Sequence, residues 1–209
     1  GWAGTQRYGA AVWSGDIRSR FDVLRSQIPA GLNIAMSGIP WWTTDIGGFM
    51  DGDVRTDTFK ELIVRWFQYG VFCPLFRLHG VRQPMNGLYG AQASGADNEV
   101  WSFGDKAYEI IRGLLFLREK LRPYLRVLNQ AAHERGAPVM RPLYFDFPAD
   151  AAAANLADQF MLGPDLLIAP VTEEGRRERA VYLPAGADWI DAWSGAEYAG
   201  GQTLQAAAP

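Results

Sequence analysis

Two aspartates in this sequence follow short apolar runs in which tryptophan is frequent. Asp16 ends the stretch RYGAAVWSGD, and Asp45 lies within IPWWTTDIGGF. A pair of carboxyl groups can cleave a glycosidic bond, because one protonates the leaving oxygen while the other acts as nucleophile or base. An apolar wall helps the proton donor, since desolvation of the charged form raises the pKa of a carboxyl. From residue type and spacing we nominate Asp16 and Asp45 as such a pair, with Trp13 as the wall beside Asp16.

A third apolar run, CPLFRLHG, brings Arg77 and His79 to its polar end. In a β/α barrel the carboxyl ends of all strands face the same side, so polar residues far apart in sequence converge there. Each residue also has a structural alternative. Asp16 is equally well placed to cap the N-terminus of a helix that begins in IRSRF, Asp45 to form a turn beside the glycine pair, and His79 to serve as an ordinary loop histidine.

Composition and motif searches disfavour several other kinds of function. The chain has 209 residues, a net charge of −3 and scattered basic residues, so neither a nucleic-acid surface nor a membrane patch is predicted. The two histidines, His79 and His133, lack metal-ligand spacing, and no nucleophilic-serine or phosphate-loop pattern occurs. The single cysteine, Cys73, lies in the apolar run VFCPLF and is interpreted as a buried thiol.

The periodicity of the first two thirds of the chain alternates between strand-like and helical runs, which is typical of parallel α/β architecture. Helices are predicted in residues 16–32, over 56–69 and over 105–135, the last kinked or divided at Pro123 and ending at Gly136. Residues 80–104 are rich in glycine and polar residues, which predicts a long loop. PVMRPLYFDF is predicted as a further strand.

From about residue 150 the sequence changes to short strand-like runs separated by glycine, proline and aspartate. These runs are QFMLG, DLLIAPVT, ERAVYLP and the region around WIDAW. The alanine-rich residues 149–158 are the one candidate for a helix there, and no closing strand is predicted in GGQTLQAAAP. We therefore expect part of a β/α barrel over residues 1–149 and the beginning of a β-sandwich-like domain over residues 150–209.

Taken together, these stretches resemble glycoside hydrolase family 31, which comprises retaining α-glycosidases such as α-glucosidases and α-xylosidases. The resemblance is carried, in chain order, by RYGAAVWSGD, GIPWWTTDIGGF, PLFRLHG, LRPYL, PVMRPLYFDFP, QFMLGPDLLIAPV and VYLPAG with the WIDAWSG region. It implies an α/β fold: the C-terminal part of a TIM-type (β/α)8 barrel, followed by the start of an all-β C-terminal domain.

The resemblance also implies a role for each matching residue. Asp16 corresponds to the general acid/base, and Trp13 to the tryptophan that lines the subsite of the cleaved sugar. Asp45 and Phe49 correspond to the sugar-binding pocket. His79 corresponds to a histidine that bonds sugar hydroxyls, with Arg77 as a neighbouring binding residue. On this interpretation Asp45 is a binding group rather than the nucleophile.

The family's nucleophile belongs to an earlier barrel strand, and no segment here matches its motif. We therefore expect this chain to be a fragment that lacks the N-terminal part of the barrel and is inactive alone. The implied partner is an oligosaccharide or another α-glycoside, with no metal or organic cofactor. The sequences of the segments FRLHG and NEVWSFG resemble those of α-xylosidases, which favours an α-xylosidase over an α-glucosidase. A carbohydrate-binding relative without hydrolytic activity is the alternative from another functional class.

Overall fold

The computed structural model describes residues 4–86 and 94–208, and its first part repeats a strand-then-helix pattern. A 3-10 turn at Thr5–Tyr8 precedes strand β1 (Ala11–Trp13) and helix α1 (Phe21–Met36), and β2 (Trp41–Thr43) comes next. β1 and β2 pair in parallel, with Trp13 opposite Thr43. A third segment continues this parallel arrangement, since a parallel bridge joins Ile46 to Leu78. The α/β expectation is confirmed for this part of the chain.

The region after β2 contains strands where the sequence predicted a loop. Strand β3 (Gly52–Asp53) precedes helix α2 (Asp57–Gly70), and β4 (Arg82–Asn86) and β5 (Ser94–Ala96) follow it. β4 pairs in parallel with β3 and antiparallel with β5. The loop prediction for residues 80–104 is therefore wrong for β4 and β5, and residues 87–93 lie outside the described part. Pro84 and the many glycines hid these strands, because both residue types are depleted in strands.

Helix α3 (Asp105–Arg135) runs through Pro123 as a single helix. Of the two alternatives expected at Pro123, the division into two helices is therefore wrong, and the kink stays a prediction. The proline removes one backbone donor, but buried Leu125 and Leu128 hold the second half of the helix against the core. The predicted end at Gly136 is confirmed. This residue has a φ of 68° and its N–H donates to Ala132 O at 3.0 Å.

The last third of the chain is built mainly from short antiparallel strands. Strand β6 (Met140–Arg141) is followed by the short helix α4 (Leu143–Asp146), which replaces the second half of the strand predicted for PVMRPLYFDF. The alanine-rich stretch forms only a 3-10 turn, Ala153–Asn155. The remaining strands are β7 (Phe160–Leu162), β8 (Leu166–Ile168), β9 (Glu178–Leu183), β10 (Asp188–Ile190), β11 (Glu197–Ala199) and β12 (Gln202–Ala207).

Strand β12 corrects the expectation that GGQTLQAAAP holds no strand. It pairs with β9 along its full length, from Gln202 opposite Leu183 to Ala207 opposite Glu178. Alanine has a low strand propensity, but pairing with a partner strand overrides it. β6 pairs with β7 across the predicted domain boundary at residue 149, which stays a prediction.

The main core lies between the parallel strands and the three long helices. Leu24 and Ile28 of α1, Trp66 and Phe67 of α2, and Ile111 of α3 are almost completely buried. Two aromatic side chains of this core have paired polar atoms: the Trp42 indole N–H donates to the Tyr69 hydroxyl at 3.3 Å, and that hydroxyl donates to Gln27 O at 3.2 Å. Trp42 and Trp66 are therefore core residues rather than ligand-stacking ones.

Three strand-end segments are joined by backbone hydrogen bonds. We call them the WSGD loop (residues 13–19), the DIGGF loop (residues 45–50) and the RLHG segment (residues 77–81). Ile17 O accepts from the N–H groups of Phe49 and Met50 at 2.7 and 3.1 Å. Phe49 O accepts from Val81 N–H at 2.6 Å. The DIGGF loop is thus the central piece, bonded to a neighbour on either side.

We predict that Gly48→Ala disturbs this packing. Gly48 has a φ of 77°, and a Cβ there would lie 2.7 Å from the backbone nitrogen of Ser19. The strained backbone and the clash together are expected to lower the free energy of unfolding by about 2 kcal/mol. The thermal unfolding midpoint of the intact gene product, measured by calorimetry, should fall by several degrees.

Gly113→Ala is the matched control for that substitution. Gly113 lies within α3, and in the described part of the chain a Cβ there meets nothing within 4 Å. Alanine is a better helix former, so this variant should gain about 0.5–1 kcal/mol. An unchanged midpoint for Gly48→Ala would contradict the close packing of the two loops.

Cys73 is completely buried, which confirms its interpretation as a core thiol. Burial raises the pKa of this thiol to about 12, so the reactive thiolate does not form at ordinary pH. We predict that Cys73 in the folded protein resists maleimide labelling and that its labelling does not speed up between pH 7 and 9. Peptide mass spectrometry of native and denatured samples measures this, and rapid native labelling would contradict it.

Candidate active site

The most deeply buried member of the site is Asp45, whose side chain has no exposed surface. Its Oδ1 accepts a hydrogen bond from the guanidinium of Arg77, which is itself 45% exposed. Its Oδ2 is buried and has no hydrogen-bond partner among the residues that the structure describes. A buried carboxylate oxygen without a partner is costly. This oxygen is therefore suited to accept a hydrogen bond from a ligand hydroxyl.

Phe49 and His79 form an aromatic pair next to Asp45. Their ring centroids lie 5.5 Å apart with an angle of 38° between the planes. His79 is exposed and Phe49 is half-buried, so the pair presents an apolar face together with ring nitrogens that can bond a ligand. The hydrogen bond from Val81 N–H to Phe49 O holds the two segments together.

Trp13 and Asp16 lie at the end of the neighbouring strand. The Trp13 side chain is 52% exposed although the residue ends strand β1. Asp16 is exposed, and within residues 4–86 and 94–208 its carboxylate has no hydrogen bond or ion pair. The capping alternative for Asp16 is wrong, because α1 begins at Phe21 and its N-cap residue is Arg20. Asp16 is thus an exposed carboxyl group that is not bonded to any described side chain.

The WSGD loop is also bonded through side chains to Thr44, the residue before the DIGGF loop. The Ser14 hydroxyl donates to Thr44 Oγ1 at 3.2 Å, and the indole N–H of Trp66 donates to the same oxygen at 3.2 Å. Thr44 is buried and directly precedes Asp45. This link was not predicted from the sequence, although a hydroxyl residue lies within two positions before each aspartate.

The structure brings the six predicted site residues onto three adjacent segments, with some pairs in contact. Asp45 contacts Arg77, and Phe49 contacts His79. Trp13 and Asp16 contact neither pair through a described side-chain hydrogen bond, and their loop joins the others through Ile17 O. The convergence predicted for strand ends is therefore observed at the level of the loops.

Arg82 is a residue of the site region that sequence analysis missed. Its side chain is completely buried, and its guanidinium donates to oxygens of the DIGGF loop, the RLHG segment and Asn98. Burial lowers the pKa of Arg82 to about 10, against the attraction of Asp45, so the group remains charged at neutral pH. No sequence signal distinguishes this arginine from the polar residues around it.

Neither a metal-ligand cluster nor a membrane-spanning helix is found in the described ranges. No three His, Cys, Asp or Glu side chains there are grouped so that they could hold a metal ion. No helix of those ranges is long and apolar enough to cross a membrane.

Comparison with known proteins agrees with this arrangement. Residues 1–128 match the model of the glycosyl hydrolases family 31 TIM-barrel domain, and residues 136–209 match that of the glycosyl hydrolase family 31 C-terminal domain. The chain is similar to an α-xylosidase of Saccharolobus solfataricus, with 42% identity over 97% of this chain and 26% of that protein. It is also similar to α-glucosidase 2 of Bacillus thermoamyloliquefaciens, with 40% identity over 97% of this chain and 23% of the relative.

A solved structure gives the same picture. The crystal structure of a family 31 α-xylosidase from a soil metagenome, complexed with xylose, superposes with a TM-score of 0.96 at 56% identity and covers all of this chain and 32% of that one. The chain therefore spans about a quarter to a third of the length of these relatives. Since both family models match and together cover nearly all residues, the chain belongs to glycoside hydrolase family 31, as part of its TIM barrel followed by its C-terminal domain.

Proposed function

We propose that the protein containing this chain is a retaining α-glycosidase in which Asp16 is the general acid/base. The observation that carries the proposal is the pairing of an exposed carboxyl without a described partner, Asp16, with a half-exposed tryptophan three residues earlier, at the end of a parallel strand. In barrel enzymes this end of the strands carries the chemistry. Membership of family 31 supports the same role.

The chemistry proceeds in two steps. In the first step Asp16 donates its proton to the glycosidic oxygen, and the bond from that oxygen to the sugar breaks while a nucleophilic carboxylate forms a covalent bond to the sugar. In the second step Asp16 takes a proton from water, the water oxygen forms a bond to the sugar carbon, and the bond from that carbon to the nucleophilic carboxylate breaks, which releases the sugar. The nucleophile must lie roughly 5–5.5 Å from the acid. We propose that a segment outside these 209 residues supplies it, so the 209-residue chain alone is expected to hydrolyse nothing.

The sugar is held by the residues of the neighbouring loops. Asp45 accepts a hydrogen bond from a sugar hydroxyl through the oxygen that has no described partner, and the hydrogen bond from Arg77 to the other oxygen orients the carboxyl group. His79 bonds a second hydroxyl, and Phe49 supports its ring. Trp13 covers an apolar face of the sugar at the cleaved end.

An α-xyloside is the preferred substrate in this proposal, and an α-glucoside is the second candidate. Similarity to two α-xylosidases, at 42% and 56% identity, supports the first choice. Similarity to an α-glucosidase, at 40% identity, supports an α-glucoside as the second candidate substrate. A sugar-binding relative without hydrolysis has less support, because a protein that only binds sugar has no need of an exposed acid such as Asp16.

Asp16→Asn is predicted to abolish turnover of substrates with poor leaving groups, such as disaccharides. The loss in kcat/KM should reach about 10²–10⁴-fold, because the leaving oxygen then departs without a proton. Activated aryl glycosides should lose much less, since their leaving groups need little acid assistance. Steady-state kinetics on the intact gene product with both substrate types measures this.

Glu119→Gln is the matched control, because it converts an exposed carboxylate on α3 to an amide far along the chain from the site. It should keep wild-type kinetics on both substrates. Undiminished disaccharide hydrolysis by Asp16→Asn would contradict the assignment of the acid.

The substrate preference has a separate test. We expect kcat/KM for an aryl α-xyloside to exceed that for the matching aryl α-glucoside by roughly tenfold or more, the scale on which a pocket rejects one extra group. Initial rates with the two nitrophenyl glycosides decide this. An equal or reversed ratio would move the assignment to α-glucosidase without affecting the role of Asp16.

A further inference from the structure

Arg82 places a charged side chain beneath the loops that carry the site residues. Within the DIGGF loop, Nη2 donates to Ile46 O at 2.9 Å and Nη1 donates to Gly48 O at 2.6 Å. Nη2 also donates to His79 O at 3.4 Å, in the RLHG segment. Nε donates to Asn98 Oδ1 at 2.7 Å. One guanidinium thus joins three parts of the chain.

The oxygens that Arg82 holds belong to, or lie next to, the residues expected to touch the sugar. Ile46 directly follows Asp45, Gly48 directly precedes Phe49, and His79 is itself a predicted ligand of the sugar. The amide of Asn98 donates to Gly80 O at 3.3 Å, so the residue after His79 is held by the same assembly. A change in the guanidinium would therefore move Asp45, Phe49 and His79 together.

We propose that Arg82 is a positioning residue that sets the geometry of the sugar-binding loops without touching the sugar. The inference rests on the proposed glycosidase function and extends it to a residue outside the predicted site. It concerns the binding groups on the DIGGF loop and the RLHG segment. The proton donor Asp16 lies on the third loop, to which Arg82 makes no described hydrogen bond.

The site is shaped for an arginine in particular. The guanidinium lies over the ring of Phe59, 5.1 Å from its centroid, and directs its N–H groups outward in one plane. A Cβ on Gly47 would lie 2.9 Å from Nη2, so the loop approaches the arginine as closely as a glycine allows. Lysine has a single ammonium group on a flexible stem and cannot reproduce this planar set of donors.

A purely structural role is the alternative, and Arg118 supplies the control for it. Arg118 also donates to three backbone oxygens, those of Val71, Cys73 and Pro74, at 2.5, 2.7 and 2.9 Å. Its guanidinium lies 5.5 Å from the ring centroid of Phe76, and burial lowers its pKa. These oxygens precede the RLHG segment and carry no predicted sugar ligand. The two arginines make similar hydrogen bonds, but Arg82 bonds the loops that carry predicted sugar ligands and Arg118 bonds a segment that carries none.

The test compares Arg82→Lys with Arg118→Lys in the intact gene product, with a disaccharide and an activated aryl glycoside as substrates. For Arg82→Lys we expect kcat/KM to fall about 100-fold, the size of effect that a small misplacement of binding groups produces. The fall should be equal for both substrates, because acid assistance is intact, and the pH profile should keep its shape. Arg118→Lys is expected to lose thermal stability to a similar degree but to retain wild-type kcat/KM at a temperature where both variants are folded.

Several outcomes would overturn the proposal. They are wild-type kcat/KM for Arg82→Lys, an equal loss for Arg118→Lys, or a loss concentrated on the poor leaving group, which would place the effect on Asp16. If Arg82→Lys does not fold, Asn98→Ala decides, because it keeps the arginine and removes one acceptor. We expect a smaller loss of the same pattern, about fivefold to tenfold, and unchanged kinetics would overturn the proposal.

Failure of the proposed function is recognised separately, since the wild-type protein would then hydrolyse neither glycoside. Hydrogen exchange still tests the role of Arg82 in that case. In Asn98→Ala the amides of Phe49 and Val81, which bond Ile17 O and Phe49 O, should exchange faster while those of α3 do not. Unchanged exchange at both amides would overturn the proposal.

Discussion

The candidate site depends on one buried cation, Arg82. Its guanidinium takes the place of water as the hydrogen-bond donor to backbone carbonyls of the DIGGF loop. The DIGGF loop lies between the WSGD loop and the RLHG segment. The carbonyls of Ile46 and Gly48 face inward, and their described hydrogen-bond donor is Arg82. Unpaired buried carbonyls cost free energy comparable to a lost hydrogen bond each. Arg82 therefore holds the carbonyls of the loop, while the N–H groups of Phe49 and Met50 bond the loop to Ile17 O. The exposed side chains above then have a defined position.

The same cation explains how a carboxylate can be kept fully buried. Asp45 has one oxygen on Arg77, and Arg82 adds a second attraction without a direct hydrogen bond. Burial of an isolated carboxylate would favour its neutral form, whereas nearby positive charge favours the anion. Arg82 in turn stays charged at neutral pH, because burial lowers its pKa only to about 10 and the attraction of Asp45 opposes that fall. The charges therefore support one another, and the oxygen of Asp45 that lacks a described partner remains available to a ligand.

The placement of the candidate site residues at strand ends was predictable from the sequence, whereas the interactions that hold these residues were not. Asp16, Asp45 and His79 stand out because each follows an apolar run, which is a local pattern. The link from Ser14 to Thr44 spans 30 residues and the contact of Arg82 with Ile46 spans 36. Such pairings depend on how segments meet in space, and a single sequence does not contain that information. Strands β4 and β12 were missed for a related reason, because backbone pairing overrode the low propensity of proline, glycine and alanine.

The two aspartates are differentiated by their surroundings rather than by their sequence. Asp45 is buried and ion-paired, so it is held as a constant acceptor. Asp16 is exposed and without a described partner, so its carboxyl is accessible from solvent, as the acid/base role proposed for it requires. The WSGD loop is anchored through Ile17 and Ser14 but leaves the carboxyl itself untouched. A rigid backbone beneath a free carboxyl is the arrangement that proton transfer at a fixed position requires, because it keeps geometry constant while charge changes.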